Sequence, residues 1–368
     1  MKNVLFTCAA LGASGYSEAS RNYIAALNLF PEQINLSVKS VSFERWATDQ
    51  SAYMSILQPL LNKTINPDVQ IIHMTPENFP MYQRAGIKNI GYTVWETTKL
   101  PPHWVQLCNR LDEIWVPSEW NVEIFKNSGV TVPVKKVEHT FSMTQFQEPV
   151  PQVDLGAPKG SFVFYSIFQW TERKNPVGLL KAFLSEFSKK DNVVLVLKTY
   201  RQNNTEQDKK WIESEIMNIR QSMFLDDHPP VLLIHKMMSR QEILSLHQAG
   251  DCLVMPHKSE GWSCTHTEAM AMGKPAIGTK FGGNLEFMNE DNSFLLDYSL
   301  TPVSNMPWKL YSGKTMWAEP DLGQLKQQMR FIYENQHVAK QKGLLAKETI
   351  KQYDWPVIGQ KIVDLLGV

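Results

Sequence analysis

Short apolar runs alternate with segments of helical periodicity along most of the chain. A strand buried on both faces reads as a continuous apolar run, so the pattern predicts parallel sheets covered by helices. In the first part the predicted strands are Asn3–Thr7, Leu36–Val41, Val69–His73, Asn89–Val94 and Glu113–Val116, with helices over Ser17–Leu29 and Glu119–Asn127. The stretch QFQEPVPQVDLGAPK, from Gln145 to Lys159, has three prolines and no periodicity and reads as a linker. A second series follows, with strands at Phe162–Phe168, Val193–Lys198, Val231–His235, Cys252–Met255, Ala276–Thr279 and Ser293–Leu296. Its helix Pro176–Phe187 opens with Asn175 as cap and proline at the first position. Another helix, near Arg240–Gln248, carries a capping box from Ser239 to Glu242. The expected architecture is α/β, two consecutive doubly wound domains over 1–150 and 151–345, followed by a closing segment, 346–368.

Length agrees with this division, since 368 residues exceed one comfortable core. With 43% hydrophobic and 20% charged residues, the composition excludes disordered and membrane-spanning classes. Lys plus Arg equals Asp plus Glu, 37 against 37, and residues 1–150 hold 12 against 13. Bulk charge therefore gives no sign of nucleic-acid or membrane docking. The four cysteines lie far apart with no CxxC pair, as expected for reduced, mostly buried thiols in a cytoplasmic protein. Cys264, His266 and His257 match no zinc-ligand spacing, and no metal is expected. The opening MKNVLFTCAALGASGY has a leader-like apolar run, but it continues into a Gly/Ser loop and an amphipathic segment. A buried first strand is the expected form.

Three motifs stand at predicted strand ends, where open parallel sheets bind ligands. The loop Leu11–Ser17 holds Gly12 and Gly15, which permit close backbone approach before a helix N-terminus. Steric need in a tight turn explains the glycines equally, and their spacing is not the dinucleotide fingerprint. Arg173 and Lys174 stand just before a capped helix, against the preference of the helix dipole. Sequences tend to break such local rules at functional sites, and the pair suits a phosphate; a solvated basic pair at a helix start is the alternative. The third motif is SEGWSCTHTEAMAMGKP, Ser259 to Pro275. Thr265 and Glu268 have the spacing of a capping box, which would account for Glu268 alone. Glu260, Gly261 and the N–H groups from Trp262 through Ser263 to Cys264 need another reason. Carboxylates are good acceptors for sugar hydroxyls, so two of them around an anion-binding helix start suit a nucleotide sugar. Packing beside the sheet is the alternative for Trp262.

EGWSCTHTEAMAMGKPAIGT resembles the E-x7-E motif of family 4 retaining glycosyltransferases of the GT-B fold. FYSIFQWTERKNPVGLLKAF is similar to that family's phosphate-binding region, FGGNLEFM to its next loop, and MWAEPDLGQLKQQMRFIYEN to its late helical segment. YTVWETTKLPPHWVQLCNRLDEIWVPSEWNVEIF resembles the acceptor-side half of a bacterial-type subgroup. The likeness covers nearly the whole chain. Two departures stand out: Ile167-Phe168 where many members have Gly-Arg, and Ser263-Cys264 where Gly-Leu is common.

The resemblance implies two Rossmann-like domains facing across a cleft, with the last helix packing back toward the first. It implies that Arg173 and Lys174 neutralise the departing pyrophosphate, and that Glu268 accepts ribose hydroxyls. Glu260 would hold the transferred sugar, aided by Gly261 and the N–H groups of Trp262, Ser263 and Cys264. The nucleotide sugar would be substrate, with no cofactor and no divalent metal, and configuration would be retained. Glu96 is the candidate for engaging an acceptor hydroxyl, with Glu77 and His73 behind it; a surface carboxylate capping a turn is the alternative for Glu96. The acceptor class stays open among glycan, lipid-linked saccharide, small metabolite and modified nucleobase. Rival readings are a nucleotide-sugar hydrolase or epimerase, a silent sugar-nucleotide scaffold, and a nicotinamide-dependent oxidoreductase built on the first glycine loop. The last lacks its glycine spacing.

Overall fold

The computed structural model describes residues 1–12, 14–41, 51–202, 204–224, 227–306, 310–311 and 315–368. They form two compact units, Met1–Gln145 with Lys351–Val368, and Phe146–Ile350. Each unit contains one six-stranded parallel sheet.

In the first unit the strands are β1 (Lys2–Cys8), β2 (Ile34–Ser40), β3 (Val69–His73), β4 (Lys88–Tyr92), β5 (Glu113–Val116) and β6 (Val134–Lys136), ordered β2-β1-β3-β4-β5-β6. The apolar run that opens the chain is thus an interior strand, paired on both sides. Helix Trp355–Leu366 packs on helix Gly15–Leu27. The approach is close: a Cβ on Gly359 would lie 2.7 Å from the Ala26 carbonyl oxygen.

In the second unit β7 (Phe162–Gln169), β8 (Val193–Tyr200), β9 (Val231–Ile234), β10 (Cys252–Met255), β11 (Ala276–Thr279) and β12 (Phe294–Leu296) are ordered β12-β11-β10-β7-β8-β9. Phe164, Phe168, Leu195, Leu197, Val254 and Ile277 carry one face of this sheet into a core closed by helices Pro176–Glu186, Glu206–Ser222 and Leu322–Glu334. The order reverses between β10 and β7, which puts a topological switch point at their carboxyl ends.

Strands Val69–His73, Glu113–Val116, Cys252–Met255 and Ala276–Thr279 have the expected bounds, and the rest of those expected differ by a residue or two at either end. Strand β6 was not among those expected, and the region around MWAEP also departs from expectation. MWAEP, expected in a helical segment, is strand β14 (Met316–Pro320), paired antiparallel with β13 (Tyr298–Pro302). The helix starts only at Leu322, where Asp321 accepts from the Gln324 N–H at 3.0 Å. Among the described residues no helix is long and apolar enough to cross a membrane. Cys8, Cys108 and Cys252 are buried, Cys264 is half-buried, and all four are free thiols.

Candidate functional site

Arg173, Lys174 and Glu260 meet at the switch point of the second sheet. Arg173 Nη1 donates to Glu260 Oε2 at 3.2 Å and to the Ser259 carbonyl at 2.8 Å, and Lys174 Nζ donates to Glu260 Oε1. Arg173 and Lys174 lie in the short 3₁₀ turn Glu172–Lys174 after β7, and Glu260 follows β10. Local chemistry fixes that turn. Asn175 sits in the left-handed region at φ 55°, caps helix Pro176–Glu186 through the Gly178 N–H, and donates to the Pro256 carbonyl at 3.0 Å. The Lys258 N–H donates to the Arg173 carbonyl at 2.7 Å. Lys258 Nζ lies between Glu172 and Glu319, at 2.8 and 2.7 Å. The two loops are therefore stitched together beside the charged cluster. Burial alone would raise the Glu260 carboxyl, but the charges of Lys174 and Arg173 outweigh it and hold the group ionised, well below the usual range. His257, fully buried close by, has neither ring nitrogen hydrogen-bonded, and burial keeps the imidazole neutral.

Glu268 belongs to a second charged group. It lies one turn inside helix Cys264–Ala271, accepting from Arg240 Nη1 at 2.5 Å and from His247 Nε2 at 3.3 Å. The expected Thr265–Glu268 capping box is absent. Ser263 is the N-cap, left-handed at φ 82°, and makes no side-chain cap bond. Its hydroxyl instead meets His266 Nδ1 at 2.7 Å, while His266 Nε2 donates to the Ile277 carbonyl at 3.1 Å. With the helix beginning at Cys264, Thr265 is already in its first turn and Glu268 is free to face Arg240. Gly261 and Trp262 are buried between the two carboxylates, and the Trp262 ring packs on Phe287 at 5.1 Å. A left-handed serine is an uncommon backbone state, of the kind kept at functional turns.

Residues 152–299, which contain both charged groups, match the family model described as glycosyl transferases group 1. This segment is similar to the group 1 glycosyltransferases. The fold agrees. Anabaena Alr3699/HepE, solved with UDP and glucose, superposes with a TM-score of 0.69 at 13% identity, covering 100% of this chain and 99% of that one. Sucrose-phosphate synthase from Thermosynechococcus elongatus gives 0.70 at 12% identity, over 100% and 98%. OtsA gives 0.67 at 10% identity, over 100% and 99%. These likenesses establish the GT-B fold. A curated relative, uncharacterized protein 356 of Sulfolobus islandicus rod-shaped virus 1, is 36% identical over 64 residues, only 17% of this chain and 18% of that protein.

In the glycosyltransferase segment the sequence pointed to Arg173, Lys174, Glu260 and Glu268, and passed over Arg240, His247 and Lys258. Only the capping box Ser239–Glu242, which is formed, touched on that group by fixing where Arg240 begins its helix. In the first unit, Gly12 lies in the loop after β1, its carbonyl accepting from buried Arg21 at 2.8 Å. Gly15 is the first residue of its helix, and among the described residues a Cβ there would meet nothing within 4 Å. Glu96 is not at a strand end: β4 stops at Tyr92, and Glu96 lies half-buried in the turn beyond. The half-buried Tyr16 phenol is held above its usual range chiefly by loss of hydration and further by the Glu96 charge, and it meets Thr93 Oγ1 at 3.0 Å. Buried His73 meets Ser20 Oγ at 2.7 Å, and Glu77 accepts from Trp104 Nε1 at 2.5 Å. Thus the Gly12 loop and Glu96 follow β1 and β4, and His73 ends β3, on the carboxyl side of the first sheet.

Proposed function

We propose that the protein is a retaining glycosyltransferase that moves a sugar from a nucleotide-sugar donor to a hydroxyl acceptor without a catalytic metal. The observation that carries this reading is the pairing of Arg173 and Lys174 with Glu260 at the switch point. A donor's pyrophosphate competes with Glu260 for the two cations. Once they turn to phosphate, the Glu260 carboxylate is released to accept hydroxyls of the donor sugar. Glu268 takes the ribose hydroxyls, and the first turn of helix Cys264–Ala271 supplies backbone N–H groups to anionic oxygens.

In this mechanism charge builds on the leaving phosphate as the glycosyl bond breaks. Arg173 and Lys174 stabilise that charge where it develops, the task for which preorganised cations are most effective. The motif carboxylates are engaged with hydroxyls, so the departing phosphate is the base that receives the acceptor proton, on the face it leaves. Glu96 orients the acceptor hydroxyl. UDP is a reasonable first donor nucleotide, because Alr3699/HepE has been solved with it.

Proton NMR of the product tests the reading. From an α-linked donor, with a chelator present, the new anomeric signal is expected to be α, and to be lost in Glu260→Ala. A β signal contradicts the retaining mechanism. Lys174→Ala should lower kcat by about a hundredfold while weakening donor binding far less.

A further inference from the structure

We infer that Tyr165 and His247 are positioning residues for the donor's nucleoside half, a buried relay that fixes the orientation of Glu268. This rests on the assignment of Glu268 to the donor. Tyr165 lies on β7, His247 on helix Arg240–Ala249 and Glu268 on helix Cys264–Ala271, so the relay crosses three elements. The Tyr165 hydroxyl meets His247 Nδ1 at 2.9 Å, and His247 Nε2 meets Glu268 Oε2 at 3.3 Å. Arg240 holds the other carboxylate oxygen, Oε1, at 2.5 Å.

The polarity of the relay follows from chemistry. An ionised carboxylate only accepts, so Nε2 carries the hydrogen facing Glu268. In the neutral ring Nδ1 is then an acceptor, and Tyr165 must donate to it. Tyr165 and His247 are both fully buried, which favours the protonated phenol and the neutral imidazole that this polarity needs. Glu268 has one fixed donor on each oxygen and keeps a lone pair on each, and its side chain is 14% exposed. The carboxylate is thus clamped from behind and open in front, which suits two adjacent hydroxyls of a ribose.

Space as well as polarity holds the relay. Gly250, directly after the helix of His247, lies against the Tyr165 ring, and a Cβ there would come within 2.2 Å of it. The ring consequently has one place to lie. Helix stability does not account for the arrangement, because the helix of Glu268 gains no cap from it.

A mutant cycle on nucleotide affinity tests the relay. UDP, GDP, TDP and ADP are titrated calorimetrically into the full chain, and the tightest binder is the probe. Glu268→Gln should weaken it about tenfold or more, and His247→Leu and Tyr165→Phe several-fold. His247→Gln, whose amide N–H replaces Nε2–H, should recover most of the affinity, which a loss of packing would not do. In a Glu268→Gln background, Tyr165→Phe should change affinity by less than about twofold. If Glu268→Gln binds as the wild type does, or no nucleotide binds, the donor assignment fails and the relay with it. If Glu268→Gln is weak while Tyr165→Phe and His247→Leu bind normally, the relay alone is overturned. Effects that multiply in the double variants overturn it equally.

Discussion

Glu260 and Glu268, eight positions apart in sequence, are each balanced by different cations. Charged groups so enclosed leave a signature in acid. Burial alone would raise Glu268, but Arg240 and His247 hold it down to about 2, against 4.5 when unpaired. The unfolded chain therefore binds this proton first as pH falls. Stability from the group is complete above pH 4.5 and is lost toward pH 2, a change of about 3 kcal/mol at most. Glu268→Gln should flatten that limb of the stability curve, measured by denaturant titration between pH 5 and 2.5; an unchanged slope would mean that Glu268 is not held ionised by these partners. Residues of this kind differ in how legible they are in sequence. Arg173, Lys174 and Glu260 announce themselves because they stand beside strand ends. Arg240 and His247 do not, since they lie within a helix away from any strand end, and only the fold brings them to Glu268; Lys258 is hidden because it meets Glu172 and Glu319 only in the fold.

Among the elements, the loop after β11 bears on the site through one glycine. Gly282 has φ 102°, and a Cβ there would lie 2.4 Å from the carbonyl oxygen of Glu260, while the Gly283 N–H donates to that same oxygen at 2.7 Å. The obstruction is backbone, so no side-chain rotation relieves it. Gly282→Ala should cost ~2 kcal/mol or more and shift the Glu260 backbone. The expected result is a lower melting temperature together with weaker donor binding; normal values of both would show that the loop yields. The FGGNLEFM segment was recognisable, but its role as a strap on Glu260 was not. Buried parallel strands were legible because both faces are apolar. The β13–β14 pair was not, since Tyr298, Ser299, Leu300 and Pro302 are exposed and the stretch has no buried-strand pattern.

Across the whole molecule, histidine burial predicts a second acid effect at milder pH. His73 and His139 in the first unit, and His235, His247, His257 and His266 in the second, are buried and held below the ordinary 6.5 chiefly by loss of hydration. Above pH 6.5 folded and unfolded chains are both neutral at these rings, and nothing is lost. Below it the unfolded chain takes up protons first, so stability falls by about 1.4 kcal/mol per ring per pH unit. Denaturation midpoints should begin to drop near pH 6.5, before the carboxylates titrate, and more steeply for the unit with four such rings. Midpoints flat from pH 7 to 5 would contradict the burial of these rings. The two-domain α/β architecture was legible from alternation alone, whereas the site came from motif position joined to resemblance. Donor recognition by the second unit is the claim on which the functional account depends, and thermal shift against UDP-, GDP-, TDP- and ADP-sugars tests it most directly. The account predicts that at least one of them raises the melting temperature of the wild-type chain, and that Lys174→Ala combined with Glu268→Gln abolishes the rise. No shift with any of the four, or a shift that survives both substitutions, would contradict it.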